Sequence, residues 1–237
     1  MRVRHSHALV AEAVGAFALV FVGCGAIMVD AQGHGLGTVG IALAFGLVIM
    51  AMIYAVGHVS GAHLNPAVTL AFALTRHFPA RKVPTYWAAQ LTGAAAAAIV
   101  LRASLGDVAS VGATVPSGSQ AQAFLFEAVM TCFLLVVVMA VATDTRAVGE
   151  AAAIAIGGTI ALAALVAGPI SGASLNPARS LGPALASGNT TSLWIYLSAP
   201  FLGAAVGALV YAYVRGERMV DLSTARAADL EGATDRP

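Results

Sequence analysis

The sequence runs to 237 residues, with 12 Lys and Arg against 11 Asp and Glu, a net charge of +1. Charged residues make up 10% of it and hydrophobic ones 59%, where ordinary soluble domains carry about 25% charged residues. A soluble fold is excluded because too few polar residues remain to cover a surface, and the near-zero net charge speaks against nucleic acid as a partner.

Residues 1–7 form a short basic tail. Six long apolar runs follow: Ala8–Val29, Val39–Val56, Tyr86–Leu101, Ala121–Ala142, Ala151–Ala167 and Leu193–Val214. Most approach the roughly 20 residues that cross a bilayer as a helix. The first is too long for the apolar core of a signal peptide, and no polar mature domain follows it. It carries Glu12 near one end, and a Gly-rich loop, Asp30–Gly37, comes after it. The third run holds Gly93 and a string of alanines, which predicts close packing. Residues 103–120 form a connection with turn signals at Pro116-Ser117-Gly118. The fourth run carries Glu127, and the loop Thr143–Glu150 leads to the fifth. The sixth has Gly203 and Gly207 at the spacing that lets membrane helices approach closely. Residues 216–237 are a polar, charged tail. Cys24 and Cys132 fall inside spans without metal-site or disulfide spacing, and read as packing residues.

Cations in the loops give the orientation. With the N-terminus inside, the inner loops and tails hold Arg2, Arg4, Arg76, Arg81, Lys82, Arg146, Arg215, Arg218, Arg226 and Arg236. The outer loops hold only Arg102. Both termini are therefore expected in the cytoplasm.

One stretch is written twice. Residues 55–74 read AVGHVSGAHLNPAVTLAFAL and residues 166–185 read VAGPISGASLNPARSLGPAL, identical at more than half of their positions. Each contains Asn-Pro-Ala, at Asn65-Pro66-Ala67 and Asn176-Pro177-Ala178. Asn is a strong N-cap, its side-chain oxygen accepting a backbone N–H that the first turn leaves free. Pro beside it suits the first helical position, and Ala67 and Ala178 continue the capped turn. About ten residues then run before polar or helix-breaking ones return, a helix of roughly 15 Å. That is half of a hydrocarbon core of roughly 30 Å. Glu12-Ala13-Val14 is echoed by Glu127-Ala128-Val129, so the duplication spans both halves, about 8–104 and 121–215. Each half has three spans, an odd number, so the halves lie upside down relative to each other. Such inverted repeats with interrupted helices put their site at the midplane.

The predicted fold is thus an all-α membrane protein of six transmembrane helices plus two half-helices in an inverted repeat, occupying residues 8–215. The half-helix tips are expected to meet at the centre. Irregular backbone at membrane depth is tolerated only where it is buried or lines a wet cavity. Gly61, Ala62, His63 and Leu64, with Gly172, Ala173, Ser174 and Leu175, are expected to offer carbonyls along such a path. Asn65 and Asn176 cap with their oxygens, leaving each NH2 free to donate to a passing molecule. Two helix N-termini add roughly +0.5 charge each, a field that opposes protons and cations. Arg179 follows the second triplet, where the first has Val68. A charge at that depth marks a pathway, and Arg179 reads as a cationic element of an outer constriction, with a structural ion pair as the alternative. Glu12 and Glu127 read as acceptors that hold the irregular loops, with proton carriage as the alternative. His63 reads as an inner pore-lining group. His58 fits packing or pore lining equally, and Ser60 and Ser171 read as loop-shaping residues. No metal site and no cofactor are expected.

Paired Asn-Pro-Ala triplets within six spans, with Arg after the second, resemble the aquaporin or major intrinsic protein family. GHVSGAHLNPAVTL (residues 57–70), ATDTRAVGE (142–150) and AGPISGASLNPARSLGP (167–183) are most similar to its nodulin-like members of plants and their bacterial relatives. The resemblance implies one pore per subunit, a homotetramer, and a filter ring that falls on Phe45, Ala164, Ala173 and Arg179. Water-specific members have His where this chain has Ala164; glycerol facilitators have two aromatics, and Asp where this chain has Ser180. An open ring with one aromatic face implies a passive channel for water and small uncharged solutes: glycerol-like polyols, urea, and undissociated metalloid acids such as arsenite or boric acid. A water-selective channel is the near alternative and an ion-coupled secondary transporter the distant one, though the midplane offers amides rather than carboxylates. A membrane hydrolase lacks a legible base beside Ser60 or Ser171, and a junction-forming protein has no need of the Asn pair. The short loops point to a prokaryotic inner membrane.

Overall fold

The computed structural model describes residues 4–143 and 151–216. Most of the loop Thr143–Glu150, the tail beyond Gly216, and the cations Arg2, Arg146, Arg218, Arg226 and Arg236 lie outside the described residues. Every long regular element in the described residues is helical.

The first half runs α1 (His5–Val29), α2 (Gly37–Ser60), α3 (Pro66–Leu74) and α4 (Val83–Leu105). The second runs α6 (Gln120–Thr143), α7 (Ala152–Ser171), α8 (Pro177–Ser187), then α9 (Leu193–Tyr196) and α10 (Ala199–Arg215). Among the described residues, six helical stretches are long and apolar enough to cross a membrane, and α3 and α8 are the two half-helices between them. The spans outrun most of the apolar runs because helix continues into the polar residues at their ends. The sixth is the exception to a single rod: Leu193–Val214 breaks at Leu197-Ser198 into α9 and α10. Pro200 has no N–H to return to Tyr196, so the helix restarts there.

Small residues set the packing. A Cβ on Gly93 of α4 would strike the Ala13 carbonyl of α1, and one on Gly203 of α10 would strike the Ala128 carbonyl of α6. These contacts are the same contact in the two halves. Gly207, the partner of Gly203 in sequence spacing, lies equally close to the Cys132 carbonyl. At the junction between halves, α2 and α7 cross at Gly46 and Gly157, each of which leaves no room for a Cβ against the other's carbonyl. In lipid such backbone contact replaces the hydrophobic drive that water would supply. The outward faces keep large apolar side chains exposed, among them Val10, Leu43, Ile99, Leu125, Ile154 and Leu209. Cys24 and Cys132 are free thiols.

The connection between the halves does more than turn. It includes one tight turn, α5 (Ala109–Gly112), in which Ala109, Ser110, Val111 and Gly112 all have left-handed φ, from 47° to 71°. Val111 is fully buried. A left-handed conformation costs roughly 1–2 kcal/mol per non-Gly residue, so this turn is held by what surrounds it.

Candidate functional site

Asn65 and Asn176 cap the two half-helices. Asn65 Oδ1 accepts from Ala67 N at 2.8 Å, and Asn176 Oδ1 from Ala178 N at 2.9 Å and Arg179 N at 3.3 Å. Pro66 and Pro177 occupy the first helical positions. The tips meet: Asn65 Nδ2 donates to Leu175 O at 2.7 Å and Asn176 Nδ2 to Leu64 O at 2.8 Å. This corrects the expectation of two fully free NH2 groups. Each amide carries two hydrogens; one clamps the opposite loop, and one remains.

Behind each loop sits a buried glutamate. Glu12 accepts from Ser60 Oγ at 2.7 Å, His63 N at 2.9 Å, Leu64 N at 2.7 Å and Gln90 Nε2 at 2.7 Å. Glu127 accepts from Ser171 Oγ at 2.7 Å and from Ser174 N and Leu175 N at 2.8 Å. Successive N–H groups can converge because the backbone changes hand within the loop. Gly61, Ala62 and Leu64 have φ of 88°, 44° and 51°, and Gly172, Ala173 and Leu175 have 86°, 43° and 55°, while His63 and Ser174 between them are not left-handed. Alternating hand makes a concavity of N–H groups that suits an anion. Within a trans peptide unit the N–H and C=O point opposite ways. The units whose N–H groups face the glutamates therefore aim the carbonyls of Ala62, His63, Ala173 and Ser174 the other way. Tyr86 Oη donates to Ser60 O at 2.9 Å, and Tyr196 Oη to Ser171 O at 2.6 Å, fastening the start of each loop.

On the carbonyl side lies an internal cavity of about 120 Å³, room for several waters. Ala62, His63, Leu64, Ala173, Ser174 and both capping asparagines line it on one side. Apolar residues of the long helices line the other, including Ile49, Leu134, Val138 and Ile156. Gly61 also reaches it, whereas Gly172, expected there too, does not. Gly172 ends α7 with φ 86° and packs on Thr114 of the connection.

The expected ring residues Phe45, Ala164, Ala173 and Arg179 all border the cavity. Arg179 is only 1% exposed. Its Nη1 donates to Gly112 O at 2.8 Å, and its guanidinium lies 5.0 Å from the centroid of the Phe45 ring. Nε and Nη2 have no partner among the described residues. The connection 103–120 thus has a second role, since α5 delivers the carbonyl that orients this cation. The alternative of a structural ion pair gains no support, because no carboxylate bridges Arg179 among the described residues. His63 lines the cavity, but its ring is also packed among Phe72, Phe78 and Tyr86, with centroids 4.7, 4.8 and 5.1 Å away. Its Nδ1 lies 3.1 Å from Thr69 Oγ1. Packing and lining are thus both true of it. His58, at the end of α2, does not border the cavity.

The family model for major intrinsic protein matches residues 1–211. The chain belongs to the major intrinsic protein family. It is 53% identical over 208 residues to aquaporin NIP1-4 of Oryza sativa subsp. japonica, covering 87% of this chain and 76% of that relative. It is 52% identical over 209 residues to nodulin-26 of Glycine max, covering 87% and 77% respectively. In structure it is similar to the aquaglyceroporin from Plasmodium falciparum, with a TM-score of 0.77 at 27% identity, over 88% of this chain and 96% of that one. This major intrinsic protein is accordingly an integral membrane protein of the aquaporin and aquaglyceroporin channel type. Those two relatives are plant proteins, which gives no support to the expected prokaryotic inner membrane.

Several working residues of this major intrinsic protein escaped the sequence reading. Gln90 donates to Glu12 and, at 3.0 Å, to Thr69. Ser180 bonds Thr114 at 2.7 Å and Ser174 at 2.6 Å, where the first half places Thr69 against His63. Tyr86 and Tyr196 had a readable signature: each stands seven residues before the glycine, Gly93 or Gly203, that packs its helix. Gly112 had none.

Proposed function

We propose that the chain is a passive channel for water and small uncharged solutes, glycerol-like polyols, urea and undissociated metalloid acids among them, and that it excludes protons and ions. The observation that carries this is the two-sided cavity: carbonyls and amides along one wall, hydrocarbon along the other, running to a ring with two methyl side chains. A polyol presents hydroxyls on one edge and carbon on the other, and such a wall matches both. The remaining hydrogen on each of Asn65 and Asn176 donates to the oxygen of a passing molecule. Arg179, with two nitrogens unpartnered among the described residues, donates at the ring, while Phe45 supplies the apolar face. Glu12 and Glu127 act as loop supports, since their oxygens are occupied by loop donors. A cation entering meets two half-helix N-termini and a guanidinium. A proton loses its hydrogen-bonded chain where the asparagines turn each water's oxygen toward themselves. The channel works as a homotetramer with one pore per subunit, both termini in the cytoplasm, and residues 8–215 as the channel domain.

Light-scattering measurements on proteoliposomes test the reading. Water, glycerol, urea and arsenite at neutral pH are each expected to equilibrate faster than across empty liposomes, with no accumulation against a gradient. Passage of water alone would turn the reading to a water-selective channel; uphill accumulation would turn it to a coupled transporter.

A further inference from the structure

Phe45 is the single aromatic residue of the ring, and its position needs a cause. Its ring packs against the bare backbone of Gly23. A Cβ built on Gly23 would overlap the ring edge at Cε1, Cδ1 and Cζ. The same ring carries the Arg179 guanidinium over it, 5.0 Å from its centroid, and borders the cavity. The next residue of α1 is fixed as well: a Cβ on Gly112 would sit 2.7 Å from Cys24 Cβ and 2.9 Å from Cys24 Cα. The segment Gly23-Cys24 is thus wedged between Phe45 and the turn α5, which holds Arg179 through the Gly112 carbonyl. α1 cannot back away without disturbing that turn.

We propose that Gly23 is a specificity-determining residue of the channel: the missing side chain is a seat for the Phe45 ring, and the depth of that seat sets the aperture. The proposal rests on the solute reading above and adds a residue outside the ring that tunes it. Adding one methyl at Gly23 must displace either the α1 backbone or the ring. The backbone is held at Cys24, whereas a phenyl ring rotates about two bonds at modest cost. Phe45 is otherwise buried, and it borders the cavity. The ring therefore moves into the path. An obstruction of this size bears hardest on the widest solute, and hydrophobic pockets discriminate by about tenfold or more per methylene.

The test compares wild type, Gly23→Ala, Phe45→Leu and the double variant Gly23→Ala/Phe45→Leu in proteoliposomes, with water, urea and glycerol as probes. Gly23→Ala is expected to slow glycerol by about tenfold and water by no more than a small factor. The double variant restores glycerol, because the shorter side chain no longer needs the seat. Unchanged glycerol flux in Gly23→Ala overturns the proposal. So does a parallel loss of water and glycerol that Phe45→Leu fails to rescue, the mark of general damage. Failure of Gly23→Ala to fold, whether or not the double variant folds, overturns it too, since the ring then had no space to yield into. Wild-type protein that passes water but neither glycerol nor urea sinks the solute reading alone. The seat is then judged on water, which Gly23→Ala must slow and the double variant restore.

Discussion

Arg179 is a large cation held almost out of solvent by one carbonyl and one aromatic face. Two of its three nitrogens stay unpartnered among the described residues, a state that is costly unless water or a solute supplies acceptors. Val68 occupies the matching place after the first triplet. Arg179→Val therefore makes the second half resemble the first at this position. It is expected to raise proton leak, read as faster dissipation of a pH gradient by an entrapped dye, while water still passes; an unchanged leak would remove Arg179 from the barrier. Ala164→His acts in the opposite sense. An imidazole in the ring narrows it, and glycerol and urea flux is expected to fall by about tenfold, equivalent to ~1.4 kcal/mol of added barrier, with water retained. Proteoliposome swelling on the same solute panel reads this directly.

At the scale of elements, the two loops are built alike. Both are fastened by a tyrosine hydroxyl to the carbonyl that starts the loop. Removing one buried neutral hydrogen bond and leaving the carbonyl unpaired costs about 1–3 kcal/mol. Tyr86→Phe and Tyr196→Phe are expected to lower the melting temperature in detergent by similar amounts; a loss in one alone would mean that the halves are stabilised differently. The connection offers a gain instead. Ala109 is an exposed non-glycine residue at φ 47°, so Ala109→Gly relieves strain without losing buried surface. The expected stabilisation is ~0.5–1 kcal/mol after the added freedom of the unfolded chain is subtracted, visible as a higher melting temperature. A lower one would show that the turn owes its hand to the alanine methyl.

At the scale of the whole molecule, the halves join along a crossing of α2 and α7 where Gly46 and Gly157 face each other's carbonyls. The same crossing sets the distance between the two loops, because α2 feeds the first and α7 the second. Gly157→Leu is expected to split the bundle there and abolish monodisperse protein on size exclusion, whereas Gly158→Leu, one residue on and with open space beside it, is expected to be tolerated. Four subunits are expected in the wild-type particle by native mass spectrometry; a monomer would remove the tetramer from the proposal without touching the pore.

The sequence alone determined the membrane class, the duplication, the odd number of spans per half and hence the inversion, and the two capped half-helices. All of these are local or periodic properties: hydropathy over a span, an N-cap beside a proline, a motif read twice. It also pointed to Glu12, Glu127 and Arg179, because an ionisable group inside an apolar run is conspicuous wherever the chain folds. Only the tertiary structure decided what each polar group faces. That each asparagine clamps the opposite loop, that Gly112 orients Arg179, that Gly172 stands behind the wall and that Gly23 receives the Phe45 ring all depend on contacts between residues far apart in the chain. A glycine or a backbone carbonyl looks the same at every position in a sequence, so its role appears only when the surface it touches is known.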